Sequence, residues 1–240
     1  MNKSLVIVGA GPGLGYSLAK SFGKAGWRIA LVARRKTALT RLVTELKMSG
    51  VAASAYPCDV AEDTQVVKMF DYVKHDLQDI DALYYGPTLS RGLTGYKAAD
   101  TTVKSVGEPW RTMVNGAVSV VRAVLPGMLE RKTGALIFTT CASAMKPSPN
   151  FTPAAIAMAG LRAYALSLNA ELGPQGVYAA HVSIGVEIKP GTDGDPDRLA
   201  AGFAALLESR QLPEVAIAPP AGGALAYVPP PPLEVPPPVE

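Results

Sequence analysis

The sequence predicts an α/β protein: a doubly wound parallel sheet covered by helices on both faces, in a three-layer α/β/α single domain. Two observations support this fold class. Short apolar runs alternate with amphipathic segments along most of the chain, and this alternation is typical of a parallel sheet with right-handed helical crossovers. The 240 residues, of which 48% are hydrophobic and 18% charged, suffice for one domain with a sizeable core.

The first apolar run, at residues 5–8, leads into a glycine-rich turn. This turn reads Gly9-Ala10-Gly11-Pro12-Gly13-Leu14-Gly15. Apolar residues then recur at helical spacing in the segment 16–26. Glycine permits positive φ, and it leaves backbone amides at a helix N-terminus open to a pyrophosphate. Because a strand precedes the turn and a helix follows it, we predict a phosphate-binding site here.

Further strands follow the turn along the chain. They are predicted at residues 28–32, 52–56, 82–85, 135–139 and 178–184, with amphipathic helices between them. Ligands of open α/β sheets bind at the carboxyl ends of the strands, near the point where the strand order reverses. We therefore expect the functional site at that edge of the sheet.

The end of the chain has a different composition. Residues 195–209 are predicted to form one more helix, and residues 214–218 a short last strand. We therefore place the domain at residues 1–218 and a proline-rich tail at residues 219–240. The prolines within 228–238 remove amide donors and cannot continue a helix, which predicts a polyproline-like or disordered segment. A ligand for a proline-recognition domain is the alternative interpretation.

Composition and charge argue against several classes of function. The net charge is +3 and no basic run is interleaved with aromatic residues, so we expect a small-molecule partner and no nucleic acid. Cys58 and Cys141 lack metal-ligand spacing, and two histidines, His75 and His181, cannot form a histidine-rich metal site. No signal peptide precedes the first strand, and no uninterrupted apolar stretch approaches the roughly 20 residues that span a bilayer. We therefore expect a cytoplasmic protein without structural disulfides, a metal or a membrane partner.

The glycine spacing resembles that of a known family. Gly9-x3-Gly13-x-Gly15, together with the strand rhythm and the length, resembles the short-chain dehydrogenase/reductase (SDR) superfamily over about residues 3–217. The resemblance implies a Rossmann-type fold that binds a nicotinamide cofactor through the turn. The cofactor contacts that it implies in the turn are Gly9, Gly11, Pro12, Gly13, Leu14 and Gly15.

Charged residues after the second strand favour NADP(H) within this resemblance. Arg34 and Arg35 stand where family members that prefer NADPH place basic residues against the 2′-phosphate, and no acidic residue stands there. Alternatively, these arginines cap a helix or face solvent. Asp59 and Val60 resemble the family's adenine-contacting pair, although Asp59 could also be the N-cap of the next helix. The further cofactor contacts implied by the resemblance are Gly86, Gly185 and Ile188.

The family's usual proton donor is missing when the fifth strands are aligned. Cys141 then stands at the catalytic serine, Ala154 at the tyrosine and Met158 at the lysine. Residues 157–161 support this register because they resemble the family's segment around the lysine. Neither an alanine nor a thioether can relay a proton. The resemblance therefore implies an atypical member in which ordinary carbonyl reduction is severely impaired.

Several residues are candidates for the changed chemistry. Asn115 resembles the helix asparagine of the family's proton relay, or else it satisfies a helix kink. Tyr85 could supply a phenol from the end of the fourth strand. Cys141 could act as a nucleophile, but no histidine lies in a nearby motif, which favours a small buried residue. Tyr96 is a second candidate phenol, and Thr140, Cys141 and Ser143 could donate hydrogen bonds to a ligand carbonyl.

Two functions from different classes are compatible with these observations. The first is an NADP(H)-binding SDR-like oxidoreductase with a non-classical active site, acting on a small organic carbonyl, imine or conjugated acceptor. The alternative is a non-redox protein of this fold, either a cyclase or isomerase or a nucleotide-sensing binding protein. The resemblance also implies a homodimer or homotetramer through helices near residues 106–131 and 153–172. Apolar area for that interface or for the sheet would come from Ala154, Leu161, Ala165 and Leu168.

Overall fold

The computed structural model describes residues 3–89 and 96–218, together with the backbone of residues 226–227. The strands in this part of the chain are β1 (Ser4–Val8), β2 (Arg28–Ala33), β3 (Ala53–Pro57), β4 (Ala82–Tyr85), β5 (Gly134–Cys141), β6 (Val177–Ile184), β7 (Glu214–Ala218) and β8 (Ala226–Tyr227). The helices are α1 (Leu14–Lys24), α2 (Lys36–Met48), α3 (Asp63–Leu77), α4 (Val103–Trp110), α5 (Gly116–Glu130), α6 (Thr152–Leu172) and α7 (Pro196–Ser209).

One twisted sheet contains all of these strands. Its order is β3-β2-β1-β4-β5-β6-β7-β8. The first seven strands are parallel, and β8 pairs antiparallel with β7. The chain leaves β1 toward β2 on one side and returns to β4 on the other, so the order reverses at β1. The predicted doubly wound, Rossmann-like single domain is confirmed.

Helices cover both faces of the sheet because the strands are apolar on both sides. On one face, Leu18, Leu42 and Phe203 from α1, α2 and α7 pack against β1 and its neighbours. On the other face, Phe70 and Leu161 come from α3 and α6 and pack together with α5. The strands of a parallel sheet are enclosed in this way, which explains their continuous apolar character.

The predicted elements agree with the structure apart from small boundary shifts and one correction. Residues 214–218 form the short last strand as expected, and the last helix begins one residue later than predicted because Asp195 is its N-cap. The prediction of a tail from residue 219 is too early, since Ala226 and Tyr227 pair with β7. These two residues precede the prolines and still carry the amide donors that a strand needs. Residues 228–240 lie outside the described part of the chain.

One long helical segment is apolar on average. α4, a π-helical turn at Arg111–Asn115 and α5 follow one another without a break over Val103–Glu130. By length and composition this segment could cross a membrane, although Lys104, Glu108, Arg111 and Arg122 interrupt it, so it is not the uninterrupted apolar stretch that the sequence analysis excluded. In the structure, 39% of its most apolar window is buried. Helices α3 and α6 contact it, so packing within the fold also accounts for its apolar residues.

Candidate active site

A cavity of about 1310 Å³ lies at the carboxyl ends of β1 to β4, where the strand order reverses. This is the edge at which the sequence predicted a site. The glycine turn, the end of β2, the start of the segment after β3, the loop after β4 and the π-helical turn all contribute to its wall. The polar or charged residues among those that line it are Arg34, Arg35, Thr37, Arg41, Glu45, Asp59, Thr88 and Thr112.

The glycines of the turn fall into two groups. Gly9 has φ of +90°, and a Cβ there would overlap the carbonyl of Gly86. Gly15 is also confined, since a Cβ would lie 3.0 Å from Cα of Ala10. In contrast, nothing lies within 4 Å of a Cβ built on Gly11, and only Ile188 Cγ2, at 3.7 Å, approaches one on Gly13. Packing therefore requires glycine at positions 9 and 15, whereas Gly11 and Gly13 leave open space beside the backbone.

The N-terminus of α1 faces this open space. Gly13 is its N-cap and provides no side-chain hydrogen bond, and no acidic residue stands in the first turn. The first amides of a helix have no intrahelical acceptors, and the helix dipole favours an anion there. The turn can therefore hold a phosphate through backbone donors. Gly86, predicted as a contact, lies behind Gly9, and its amide donates to the carbonyl of Val8 at 3.0 Å.

Basic side chains gather at the outer end of the cavity. Arg34 and Arg35 are exposed at the end of β2, and within the described residues neither forms an ion pair. Arg41 also lines the cavity, but Glu45 neutralises it at 2.9 Å. The two arginines predicted from the sequence therefore carry the positive charge that a second anionic group could use.

Asp59 and Val60 line the cavity. Asp59 is not the N-cap of the helix that follows. Its Oδ1 accepts from the amide of Ala61 at 3.1 Å, and α3 begins only at Asp63 with Glu62 as N-cap. The interpretation of Asp59 as the N-cap of that helix was therefore wrong. The neighbouring Cys58 thiol is buried, and burial raises its pKa to about 11, which keeps it protonated.

The loop after β6 approaches the glycine turn through one of its two predicted contacts. Ile188, 43% exposed, points Cγ2 toward Gly13. Gly185 instead packs against β7: its amide donates to the carbonyl of Ile217 at 2.6 Å, and a Cβ there would lie 3.0 Å from the same oxygen. The structure therefore brings Ile188 to the turn and gives Gly185 a packing role beside β7.

The positions that the sequence analysis aligned with the family's catalytic residues are neutral, and none of the three is among the residues that line the cavity described above. Ala154 and Met158 lie on α6 with 0% and 8% of their surface exposed. Cys141, half-buried at the end of β5, donates its thiol to the Met158 sulfur at 3.3 Å. Ser143 follows in the short helical turn Ala142–Ala144 and is half-buried. The thiol is the single titratable group among the three aligned positions, and its proton is directed at a thioether.

The structure corrects the role suggested for Tyr85. Its side chain is fully buried in β4, and its hydroxyl donates to the carbonyl of Thr112. Burial raises the pKa of this phenol far above its ordinary value, so it cannot supply a proton to a ligand. The sequence predicted the strand through Tyr85 but not the burial of its side chain, because both faces of this strand are covered by helices.

The other candidates from the sequence lie outside the cavity wall. Asn115 ends the π-helical turn and is exposed, whereas Thr112 of the same turn reaches the cavity. Tyr96 is 39% exposed. Its backbone forms a parallel bridge with Phe151, which joins the segment after β4 to the start of α6.

The sequence did not predict a buried series of hydrogen-bonded polar side chains. Thr140 Oγ1 lies 2.8 Å from His181 Nε2, and His181 Nδ1 lies 2.8 Å from Glu214 Oε1. Arg162 donates Nε and Nη2 to the two Glu214 oxygens at 2.5 and 2.7 Å. Burial favours a neutral acid, but the hydrogen bonds from His181 and Arg162 outweigh it and hold the pKa of Glu214 at about 2. A histidine within the apolar run of β6 was the available signal.

Within the residues that the structure describes, no three His, Cys, Asp or Glu side chains are grouped to hold a metal ion. The site therefore consists of a glycine turn that can hold a phosphate and a basic end of the same cavity. These features suit a dinucleotide with an extra anionic group better than they suit general acid catalysis by a side chain.

Comparisons with known proteins identify related chains. The sequence profile of the short chain dehydrogenase family matches residues 3–190. A short chain dehydrogenase of Pseudocercospora fijiensis is 31% identical over 215 residues, covering 88% of this chain and 68% of that protein. L-sorbose reductase from Gluconobacter frateurii, solved with NADPH and L-sorbose, has a TM-score of 0.81 at 22% identity, covering 95% and 98% of the two chains. An NAD+-bound xylitol dehydrogenase has a TM-score of 0.80 at 22% identity, covering 90% and 97%.

Proposed function

The chain belongs to the short-chain dehydrogenase family, and we propose that it is an NADP(H)-dependent oxidoreductase with a non-classical active site. In this proposal it transfers hydride to a small organic carbonyl, imine or conjugated acceptor without the family's tyrosine and lysine. The observation that carries the proposal is a glycine turn open to a phosphate in the same cavity as Arg34 and Arg35. Among the described residues, neither arginine forms an ion pair.

The residues fit a dinucleotide along the length of the cavity. Gly11 and Gly13 leave room for a pyrophosphate beside the N-terminus of α1. Asp59 and Val60, which follow β3 next to β2, line the same cavity, where an adenosine would lie in this proposal. When bound, NADPH supplies the hydride, and the protein's part is to bind it, orient it and shield the reacting face from water.

The arginines favour NADP(H) over NAD(H). Arg34 and Arg35 are exposed, line the cavity, and meet no carboxylate among the described residues, so a 2′-phosphate would gain charge-assisted hydrogen bonds from them. Solved structures of this fold include complexes with NADPH and with NAD+, so the preference for NADP(H) rests on the charges of this chain.

The neutral residues at the aligned catalytic positions favour acceptors that need little acid catalysis. Ala154 carries no polar group, and the Met158 sulfur accepts the Cys141 thiol. Hydride addition to an iminium carbon gives a neutral amine and requires no proton. Hydride addition to a conjugated carbonyl gives a delocalised enolate that solvent can protonate. A cationic acceptor also meets no repulsion from a lysine at position 158.

Calorimetric titration tests the cofactor half of the proposal. We expect NADPH to bind more tightly than NADH, and Arg34→Ala to weaken NADPH roughly 10- to 100-fold while leaving NADH unchanged, because one charge-assisted contact is worth about 1.5–3 kcal/mol. Lys36→Ala is the matched control. It also removes one positive charge, two residues further along the chain, but the Lys36 side chain does not line the cavity. Equal affinities for both nucleotides, or an equal loss in both variants, would contradict the proposed selectivity.

Turnover tests the chemical half. Purified protein with NADPH is offered matched panels of iminium ions, conjugated carbonyls and simple ketones. We expect NADPH oxidation with the first two classes and much slower oxidation with ketones. Binding of NADPH without oxidation by any panel member would contradict the oxidoreductase assignment for these acceptors. Ketone reduction at a rate equal to the iminium rate would show that another group supplies the proton.

We also propose that the chain assembles as a homodimer or homotetramer through α6. The four apolar residues named for this purpose in the sequence analysis are all buried against the sheet, which makes them unavailable. The exposed side of α6 instead carries a stripe of small or apolar residues at helical spacing. Its members are Ile156, Ala159, Ala163, Ser167 and Ala170.

A further inference from the structure

The buried chain Thr140–His181–Glu214–Arg162 has no part in the proposed cofactor site. His181 and Glu214 have 0% and 1% of their side chains exposed, and the Arg162 side chain is 31% exposed. Burying ionisable groups in a sheet is costly even when they are paired, and apolar residues of similar size often serve stability as well. Core packing therefore does not by itself explain why these four hydrogen-bonded polar side chains are buried here.

The geometry of Thr140 allows two arrangements of a single proton. Its Oγ1 lies 2.8 Å from His181 Nε2 and 3.1 Å from the carbonyl oxygen of Cys141. A hydroxyl has one proton to donate, so it can donate to only one of these acceptors. The Ser183 hydroxyl, 3.3 Å away, is a second donor to the same Cys141 carbonyl.

The protonation state of His181 selects between these arrangements. When the imidazole is neutral, Nδ1 donates to the Glu214 carboxylate, and Nε2 accepts the proton of the Thr140 hydroxyl. When the imidazole is charged, both nitrogens donate, so Thr140 Oγ1 becomes the acceptor from Nε2. Its own proton must then turn to the Cys141 carbonyl. One proton added at the imidazole therefore changes the hydrogen bonding of a backbone group on β5.

The groups that surround the imidazole are few. Thr140 faces it from β5, Glu214 from β7, and Arg162 reaches the same carboxylate from α6; Ser183 lies two residues along its own strand. Glu214 stabilises the charged imidazole. Burial and the positive charge of Arg162 oppose it. Arg162 and His181 are the charged groups that act on Glu214 within the described residues.

We propose that His181 is a positioning residue of the active site: its protonation moves the Thr140 proton from the imidazole to the Cys141 carbonyl at the carboxyl end of β5. That end of the sheet is where ligands of such folds bind, and the Cys141 side chain contacts Met158, which the sequence analysis aligned with the family's catalytic lysine. The expected consequence is a pH-dependent hydride transfer step. This consequence rests on the proposed function, whereas the proton switch itself does not.

Nuclear magnetic resonance can test the switch in the full chain without any substrate. The chain has two histidines and two cysteines. Labelling with 15N-histidine therefore reports on two imidazole rings, and carbonyl-13C-cysteine gives two carbonyl signals. His75 is exposed and serves as an internal reference. We expect the Cys141 carbonyl signal to move with the midpoint of His181 and not with that of His75, while the Cys58 carbonyl stays unchanged.

Variants identify the hydroxyl as the connection. Thr140→Val should abolish the movement of the Cys141 carbonyl signal while His181 still titrates. Ser183→Ala is the matched control, because it removes the other hydroxyl donor to the same carbonyl and should preserve the movement.

Three results would overturn the proposal. The first is a His181 signal that does not titrate between about pH 5 and 8, the range in which histidine side chains ordinarily change charge. The second is a Cys141 carbonyl signal that stays constant while His181 titrates. The third is an unchanged Cys141 response in Thr140→Val. If the carbonyl responds as expected but no acceptor oxidises NADPH, the proposed function fails and the switch stands. If acceptors react, Thr140→Val should flatten the pH profile of kcat with little change in KM; a profile that keeps the wild-type shape would remove the link to catalysis.

Discussion

Individual glycines in the turn after β1 have separate physical roles. Gly9 is required by positive φ and by contact with the Gly86 backbone, whereas Gly11 borders open space. The first role belongs to the fold, and the second to the ligand. A glycine cluster in the sequence does not distinguish them, because both roles need the absence of a Cβ.

Alanine at each position separates these roles. Gly9→Ala should lower the free energy of unfolding by roughly 2 kcal/mol or more, since positive φ and overlap both add strain. Gly11→Ala should leave stability within about 0.5 kcal/mol yet weaken NADPH binding roughly 10-fold, which corresponds to about 1.4 kcal/mol. Urea unfolding and calorimetry measure the two effects. Equal stability losses in both variants would contradict the distinction.

Glu214 predicts an acid-dependent part of the stability. Its pKa is lowered from 4.5 to about 2 by hydrogen bonds that outweigh burial. Because the folded pKa is depressed, the stabilisation is present above the unfolded pKa and is lost as the pH falls toward 2. Its size is about 3 kcal/mol on this basis.

Urea unfolding of wild type and Glu214→Gln between pH 7 and pH 3, a range that brackets the ordinary glutamate pKa of about 4.3, measures this contribution. We expect a constant stability difference down to about pH 5, followed by a difference that shrinks as the Glu214 carboxylate of the unfolded chain is protonated. Parallel curves over the whole range would show that Glu214 does not titrate as proposed.

At the scale of elements, close packing between α1 and Val51, two residues before β3, positions the glycine turn. A Cβ on Gly23 of α1 would overlap Val51, which is 2% exposed. The helix that presents its N-terminus to the cavity is therefore held against the sheet by a contact that only glycine allows.

A double-mutant cycle tests this contact. Gly23→Ala should destabilise the protein by about 1–3 kcal/mol through overpacking, although alanine favours a helix by up to about 1 kcal/mol. Val51→Ala removes the atoms that an added Cβ would meet. The double variant should be more stable than the sum of the single effects predicts, by at least about 1 kcal/mol. Simple additivity in urea unfolding would contradict the close contact.

At the scale of the whole molecule, the exposed stripe on α6 remains uncovered in a single chain. A 21-residue helix whose inner side is buried in the core and whose outer side carries Ile156 and alanines suits contact with a second copy. Homo-oligomers usually bury such surfaces about a two-fold axis.

Light scattering tests the assembly. We expect the wild-type chain to have at least a dimeric mass at micromolar concentration and Ala163→Glu to shift it toward the monomer, because a charge at the centre of an apolar interface is left unpaired. Ala205→Glu is the control, since Ala205 is equally an exposed alanine but lies on α7. A monomeric wild type, or equal effects of the two variants, would exclude α6 as the interface.

The extent to which sequence predicted the site differs between residues. Arg34, Asp59 and the glycine turn do line one cavity, because each directly follows a strand of a parallel sheet and such strands end at one edge. Tyr85 was predicted at the end of the fourth strand, and β4 does end there, but its side chain points into the core. Both faces of a parallel sheet are covered by helices, so an apolar run does not show which side chain at a strand end stays accessible to a ligand.

The sequence by itself determined the fold class and the place of the glycine turn between β1 and α1, since apolar periodicity and the need for glycine are local properties of the chain. Only the tertiary structure decided which polar side chains meet. His181 faces Glu214 because β6 pairs with β7 in that register, and Thr140 reaches the imidazole because β5 lies on the other side. Residues separated by 33 and 41 positions become neighbours through strand order and register, which long-range packing sets.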